Sequence, residues 1–145
     1  MRLQDVLRTK PDHVVTLPPS ASLAKASTLM RLERVGAILI CEGQRILGIL
    51  SERELALAIS ELGLDLFDRC VGELMSVDAP TAAPGDAVVD VMRMMTEKRA
   101  RHVPVVTDAS LVGVVSIGDV LKSRLAEKIQ ENAVLLDLTR ARLPG

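Results

Sequence analysis

The chain repeats itself. Shifted by 65 positions, residues 16–56 fall on 81–121 without a gap. Thr16 lands on Thr81, Pro19 on Pro84, Met30 on Met95, Arg34 on Arg99, Gly48 on Gly113 and Ser51 on Ser116. Six identities over 41 positions carry little weight alone, and the matched order of apolar segments carries more. A repeat constrains the fold because a unit of this size cannot bury its apolar face by itself and needs its neighbour to cover it.

The spacing predicts the same series of elements twice. A short strand, Val14-Val15-Thr16, leads through Pro18-Pro19-Ser20 into a helix with Leu23, Ala26, Ser27 and Met30 on one face. Val88, Val91, Met92 and Met95 repeat that spacing at i, i+3, i+4 and i+7. Paired apolar runs follow, 37–40 with 46–50 and 103–106 with 111–115, joined by Glu42-Gly43-Gln44 and Thr107-Asp108-Ala109 as tight hairpins. A second helix begins after Ser51 and after Ser116.

The expected class is α/β (α+β), with two pseudo-twofold β-α-β-β-α repeats packed through their sheets. The repeats are read as 5–62 and 76–125, with 63–75 as a linker holding a short helical piece and 126–145 as a C-terminal helix and tail. Leu121, Leu125, Ile129 and Leu136 fall on one stripe of that last helix. The stripe either packs on its own module or makes a dimer contact.

Composition removes several classes of function. Apolar residues make up 48% of 145 and charged residues 26%, enough for a globular core and against disorder. A net charge of −1 leaves no electrostatic footprint for nucleic acid or an anionic membrane. Phe67 is the only aromatic residue, so base stacking on rings is excluded and any planar ligand must lie between aliphatic side chains. No apolar run has membrane-spanning length, and no secretory signal is visible at the start. Cys41 and Cys70 form no CxxC motif and are read as buried, reduced thiols. The expected location is cytoplasmic.

Chemistry concentrates at two equivalent places, Gly48-Ile49-Leu50-Ser51-Glu52-Arg53-Glu54 and Gly113-Val114-Val115-Ser116-Ile117-Gly118-Asp119. Each reads as a strand, then Ser, then a carboxylate three residues on at a helix start. As structure, this is a capping box in which the Ser caps the helix and the acid reaches back. As function, the same helix start presents free N–H groups to a phosphate, the hydroxyl assists, and the carboxylate accepts from a ribose diol. Gly48 and Gly113 would let a ligand approach the strand closely.

With Arg101-His102-Val103-Pro104-Val105-Val106, these motifs make the chain resemble a tandem cystathionine-β-synthase (CBS) domain pair, or Bateman module, of stand-alone bacterial type. The resemblance spans roughly residues 5–125. It implies binding of adenosine-containing ligands such as AMP, ATP, NAD(H) or S-adenosylmethionine in clefts between the halves, and dimerisation into a disc of four domains.

Carried over by resemblance, Asp119 matches the ribose-binding acid and Ser116 its hydroxyl partner. Arg101 and His102 fall where basic groups face the phosphate, although His102 also fits a purely structural role. The opposing wall is expected around His13, Val14, Thr16, Val35, Gly36 and Ala37. A second cleft would use Ser51, Arg53 and Glu54, facing Ser76, Asp78, Ala79 and Pro80. It departs from the family pattern because Glu54 stands where an aspartate is usual, so the Asp119 cleft is expected to lead.

The implied function is a non-catalytic regulatory module for an adenine nucleotide (AMP, ADP, ATP or NAD(H)), sensing energy or redox state. It would need no other cofactor and no metal, form a homodimer, act on an unidentified protein target, and contact neither nucleic acid nor membrane. The alternative is a ligand-free dimeric interaction scaffold. An enzyme is not expected, since a barrel of about 250 residues has no room here and no nucleophile–base, Walker or GxGxxG motif is present.

Overall fold

The computed structural model describes residues 1–9, 14–108 and 110–142 of the chain. The elements run α1 Leu3–Thr9, β1 Thr16–Leu17, α2 Leu23–Glu33, β2 Ala37–Glu42, β3 Arg45–Ser51 and α3 Glu52–Leu62. A 3-10 helix, Gly63–Asp68, leads to α4 Val71–Leu74, then α5 Val88–Lys98, β4 His102–Thr107, β5 Ser110–Ser116 and α6 Ile117–Arg142. From α2 to β3 and from α5 to β5, every boundary recurs at the 65-residue offset.

The repeated residues have structural causes. Both first helices end on an arginine in the left-handed region, Arg34 at φ 55° and Arg99 at φ 53°, whose N–H caps the carbonyl of Met30 or Met95. Both hairpins carry an irregularity at the same place, Ile40/Cys41 and Val105/Val106. In the first sheet β1 runs parallel to β2, and β2 antiparallel to β3. The short strand lies at Thr16–Leu17, later than the 14–16 expected, because Thr16 and Leu17 are the residues in register with Leu39 and Ile40. In the second half it shrinks to one bridge, Ala82 with Val105, beside the β4–β5 hairpin.

Each half has its own core. Leu17, Leu23, Ala26, Met30, Ile38, Ile40 and Leu50 form one, and Val88, Val91, Met95, Val103, Val105 and Val115 the other. Leu39 and Ile49 point to the opposite face of the first sheet and are buried as well, so that sheet is covered on both sides.

The segments that complete these cores are exchanged. α1 begins the first half but packs Leu3 and Val6 into the second core, with Leu3 N–H on Asp86 O at 3.0 Å and Gln4 N–H on Pro84 O at 2.9 Å. The stretch expected as a linker, 63–75, does the reverse. Leu66 and Val71 enter the first core, with Val71 N–H on Ala21 O at 2.8 Å and Gly72 N–H on Pro19 O at 3.0 Å. It is a packed element, because Leu66 and Val71 each gain roughly 1.5–3 kcal/mol by leaving water. Leu3 and Val71 thus occupy equivalent places at an offset of 68, three more than in the body of the repeat.

This exchange corrects the reading of the two repeat glycines. A Cβ on Gly48 would stand 2.7 Å from Ser76 O and 2.8 Å from Met75 Sδ, and one on Gly113 would stand 2.9 Å from Leu7 Cδ2. The space beside each strand belongs to the exchanged segment and is not open to a ligand.

α6 continues without a break through residue 126. Val120 on its inner face is fully buried, while Leu121, Leu125, Ile129 and Leu136 are all at least half exposed. The stripe therefore does not pack on its own module. No helix among the described residues is long and apolar enough to cross a membrane.

Candidate functional site

The start of α3 opens into a cavity of about 940 Å³. Three parts of the fold converge there. Ile49, Ser51, Glu52, Arg53 and Glu54 come from the β3–α3 junction of the first half. Ser76, Asp78, Ala79 and Pro80 come from the connection after α4, held beside β3 by reciprocal Ile49–Ser76 backbone hydrogen bonds of 3.0 and 2.8 Å. Lys98, Arg99, Arg101 and His102 come from the α5–β4 junction of the second half. This is the cleft that the sequence ranked second, and all seven residues expected in it line the cavity.

At its floor the capping box is closed. Glu54 Oε2 accepts from the Ser51 N–H at 2.8 Å and also from the Ser51 hydroxyl, whose oxygen accepts from the Arg53 N–H at 3.3 Å. The Arg53 guanidinium donates to Arg99 O at 3.4 Å across the cavity. That contact joins the two halves and places a cation at the negative end of α5.

Ser116 and Asp119 form the counterpart at the start of α6. Ser116 N–H donates to Asp119 Oδ2 at 2.8 Å, and Asp119 N–H donates to Ser116 Oγ at 3.1 Å. In both boxes the serine oxygen accepts a helix N–H and the carboxylate accepts the serine N–H, and in the first the Ser51 hydroxyl also donates to Glu54.

Arg101 was grouped by sequence with Asp119, and the structure places it on the Ser51 cavity. The cause is the pseudo-twofold arrangement, in which the helix start of one half faces the helix-to-strand junction of the other. His102 stands between the two sites. It pairs with Ser116 across β4 and β5, lines the Ser51 cavity, and lies where a Cβ on Gly36 would come within 3.1 Å of its Nε2. Val35, Gly36 and Ala37 form the α2–β2 junction, equivalent to 100–102. Thr16 sits in β1, an exposed position in register with Leu39, and Val14 precedes that strand half-buried. His13 lies outside the described residues.

Sequence reasoning missed Lys98 and Arg99 in the cavity wall. The signal was available, because they are 65 residues beyond Glu33 and Arg34, immediately before the wall expected at 35–37.

Among the described residues no group of three or more His, Cys, Asp or Glu could hold a metal. Both cysteines are free, and partial burial pushes the Cys41 thiol above its usual range.

Residues 3–61 and 71–126 each match the CBS domain. The chain belongs to the CBS domain family. A CBS domain-containing protein of Bacillus subtilis, YhcV, is 28% identical over 132 residues, covering 91% of this chain and 94% of that protein. The crystal structure of a CBS-domain containing protein from Agrobacterium tumefaciens superposes with a TM-score of 0.82 at 31% identity, covering 86% of this chain and 99% of that one. A CBS domain protein from Pyrobaculum aerophilum, solved in complex with AMP, superposes with a TM-score of 0.73 at 29% identity over 82% of this chain and 89% of that one. The two matched stretches of this CBS pair begin with the exchanged segments, at residue 3 and at residue 71.

Proposed function

We propose that this CBS pair is a non-catalytic regulatory module that binds an adenosine-containing nucleotide between its halves. The observation that carries the reading is the Ser51 cavity, where a helix start and a cationic junction from opposite halves face one space of nucleotide size. Binding there would bridge the halves and so change how firmly they are held together. Ser51, Arg53, Glu54, Arg101 and His102 are the residues proposed for this cleft. Ser116 and Asp119, with His13, Val14, Thr16, Val35, Gly36 and Ala37, are proposed for its mirror image. The AMP complex of the Pyrobaculum relative supports an adenine nucleotide as the ligand class. AMP, ADP, ATP and NAD(H) all fit that class, which would make the module a sensor of energy or redox state. The two free thiols accord with a reducing, cytoplasmic setting.

The test is thermal unfolding with AMP, ADP, ATP, NAD, NADH or S-adenosylmethionine. A ligand at 100 times its dissociation constant adds about 2.7 kcal/mol, and each kcal/mol moves the midpoint by roughly 2–4 °C at this size. A shift for at least one ligand, reduced in Arg101→Ala or Asp119→Ala, is expected. No shift with any of them sinks the reading.

The exposed apolar stripe on α6 favours a second property, a homodimer formed through that helix. Light scattering on Leu121→Asp/Leu125→Asp checks it. The mass is expected to fall from dimer to monomer, and an unchanged mass removes α6 from the interface. A scaffold without any ligand remains the outcome if the nucleotide panel is silent and the dimer persists.

A further inference from the structure

Each half turns an apolar stripe away from its own core. In the second half it is Leu121, Leu125 and Ile129 on α6, all at least half exposed. In the first it is Leu57 on α3 with Leu64 and Phe67 on the 3-10 helix, all exposed, Leu64 by 89%. The 65-residue offset carries Leu64 onto Ile129, so the two stripes hold equivalent places. Phe67, the one aromatic residue of the chain, stands in this surface and in neither core, and interfaces concentrate aromatic side chains of that kind.

The rims of the two stripes differ in sign. Side chains three apart line up in a 3-10 helix. With Leu66 buried, one outward face carries Leu64 and Phe67 and the next carries Asp65 and Asp68. Glu61, one turn earlier, is exposed as well. These three acids have no ion pair among the described residues, whereas Arg69 is held by Glu73 at 3.3 Å. On α6 the exposed rim is Lys122 and Lys128, of which Lys128 meets Glu131 at 3.4 Å. The Arg124–Glu127 pair, both side chains less than a third exposed, lies toward its own module. Residues 56–69 thus hold three acids and one cation, a net of −2, and the equivalent 121–134 hold three cations and two acids, a net of +1.

Two copies could bring like stripes together, which sets acids against acids and lysines against lysines. The crossed pairing sets opposite charges together instead, and electrostatic complementarity selects it. It is also self-consistent, because a twofold that lays the first-half stripe of one copy on the second-half stripe of the other makes the reciprocal contact at once.

We propose that this chain pairs head to tail with a second copy, the α6 stripe of each seated on Leu57, Leu64 and Phe67 of the other, with Lys122 and Lys128 facing Asp65 and Asp68. The inference rests on the homodimer reading above and adds which faces meet: α6 does not pair with α6.

The experiment is sedimentation equilibrium of the full chain and of three charge variants. These are Asp65→Lys/Asp68→Lys, Lys122→Glu/Lys128→Glu, and the fourfold variant carrying both pairs. All four positions are exposed and lie outside the Ser51 cavity, and circular dichroism establishes that each variant is folded. Either pair alone puts like charges together in both contacts and is expected to raise the dimer dissociation constant by about tenfold or more. The fourfold variant restores the attraction with its signs exchanged and is expected within about threefold of the natural chain. Phe67→Asp, which tests the apolar contact without the charge pairs, is expected to give a monomer.

If like stripes met, either pair alone would only exchange one repulsion for another and the dimer would hold. Charge pairs without effect, a fourfold variant no tighter than either pair, or an unchanged mass for Phe67→Asp would each overturn the head-to-tail docking and leave a dimer through α6 standing. A natural chain that is monomeric at every concentration ends both readings.

Discussion

The two halves end their hairpins on the same residue, Ser51 in one and Ser116 in the other, and start a helix there with an acid three positions on. In the first half the acid is Glu54, and it accepts from both the backbone and the hydroxyl of its serine. In the second it is Asp119, which accepts the Ser116 N–H at the same 2.8 Å, while the Ser116 oxygen receives the N–H of Asp119 where Ser51 receives that of Arg53. The serine oxygen caps the helix in both halves, and what differs is which helix N–H it accepts. The wall opposite each box changes as well, with three cations at 98–101 and one acid and one cation at the equivalent 33–36. A duplicated scaffold can therefore keep its hydrogen-bond geometry while its two clefts diverge in charge, because the cap is a local matter and the wall belongs to the other half.

The largest effect should come from breaking the exchange of segments. Leu3→Ala removes a fully buried leucine from the second core and is expected to cost about 2–5 kcal/mol in urea unfolding. A loss below about 0.5 kcal/mol, the scale of surface substitutions, would mean that α1 is not part of that core. Its counterpart, Val71→Ala, empties a smaller volume in the first core and should cost less.

The glycines sharpen the same comparison. At Gly48 an added Cβ meets the Ser76 carbonyl as well as Met75, and backbone cannot step aside. Gly48→Ala should therefore lower stability by about 1–3 kcal/mol, the usual cost of overpacking. At Gly113 the Cβ meets only the end of the flexible Leu7 side chain, and Gly113→Ala should lose less. Equal losses in thermal denaturation would show that the exchanged segments are held equally tightly in both halves.

Capping comes next. Ser51→Ala removes a hydroxyl bonded to Glu54 and to the Arg53 N–H, and Ser116→Ala one that accepts only from Asp119 N–H among the bonds of its box. Both should cost about 0.5–2 kcal/mol, with Ser51→Ala at the upper end. The reverse order would place the tighter box in the second half.

The smallest effect concerns Cys41, whose counterpart in the second half is Val106 and thus has no thiol. Burial raises the Cys41 pKa, so less thiolate is present at pH 8 than for an ordinary cysteine. Alkylation of Cys41 in the folded protein should be slower than in urea and should accelerate as pH rises. Equal rates in the two states would contradict the burial.

Local periodicity and short-range chemistry were legible in the sequence. Leu23, Ala26 and Met30, then Val88, Val91 and Met95, predicted the buried helix faces, and Ser-x-x-acid predicted both caps, because each depends on contacts within one turn or one pair of strands. The lining of the Ser51 cavity from Ser51 to Pro80 was legible only through the family resemblance, because Ser51 and Ser76 share no turn or hairpin.

What the tertiary structure decided lay across the pseudo-twofold. It put Arg101 opposite Ser51 and moved α1 onto the second core. It also filled the space beside Gly48 and Gly113 with Met75 and Leu7, and left the α6 stripe uncovered. An apolar residue in a sequence announces that it will be buried but not against which half. Two nearly equivalent partners offer the same burial free energy, and only the geometry of the whole chain selects between them.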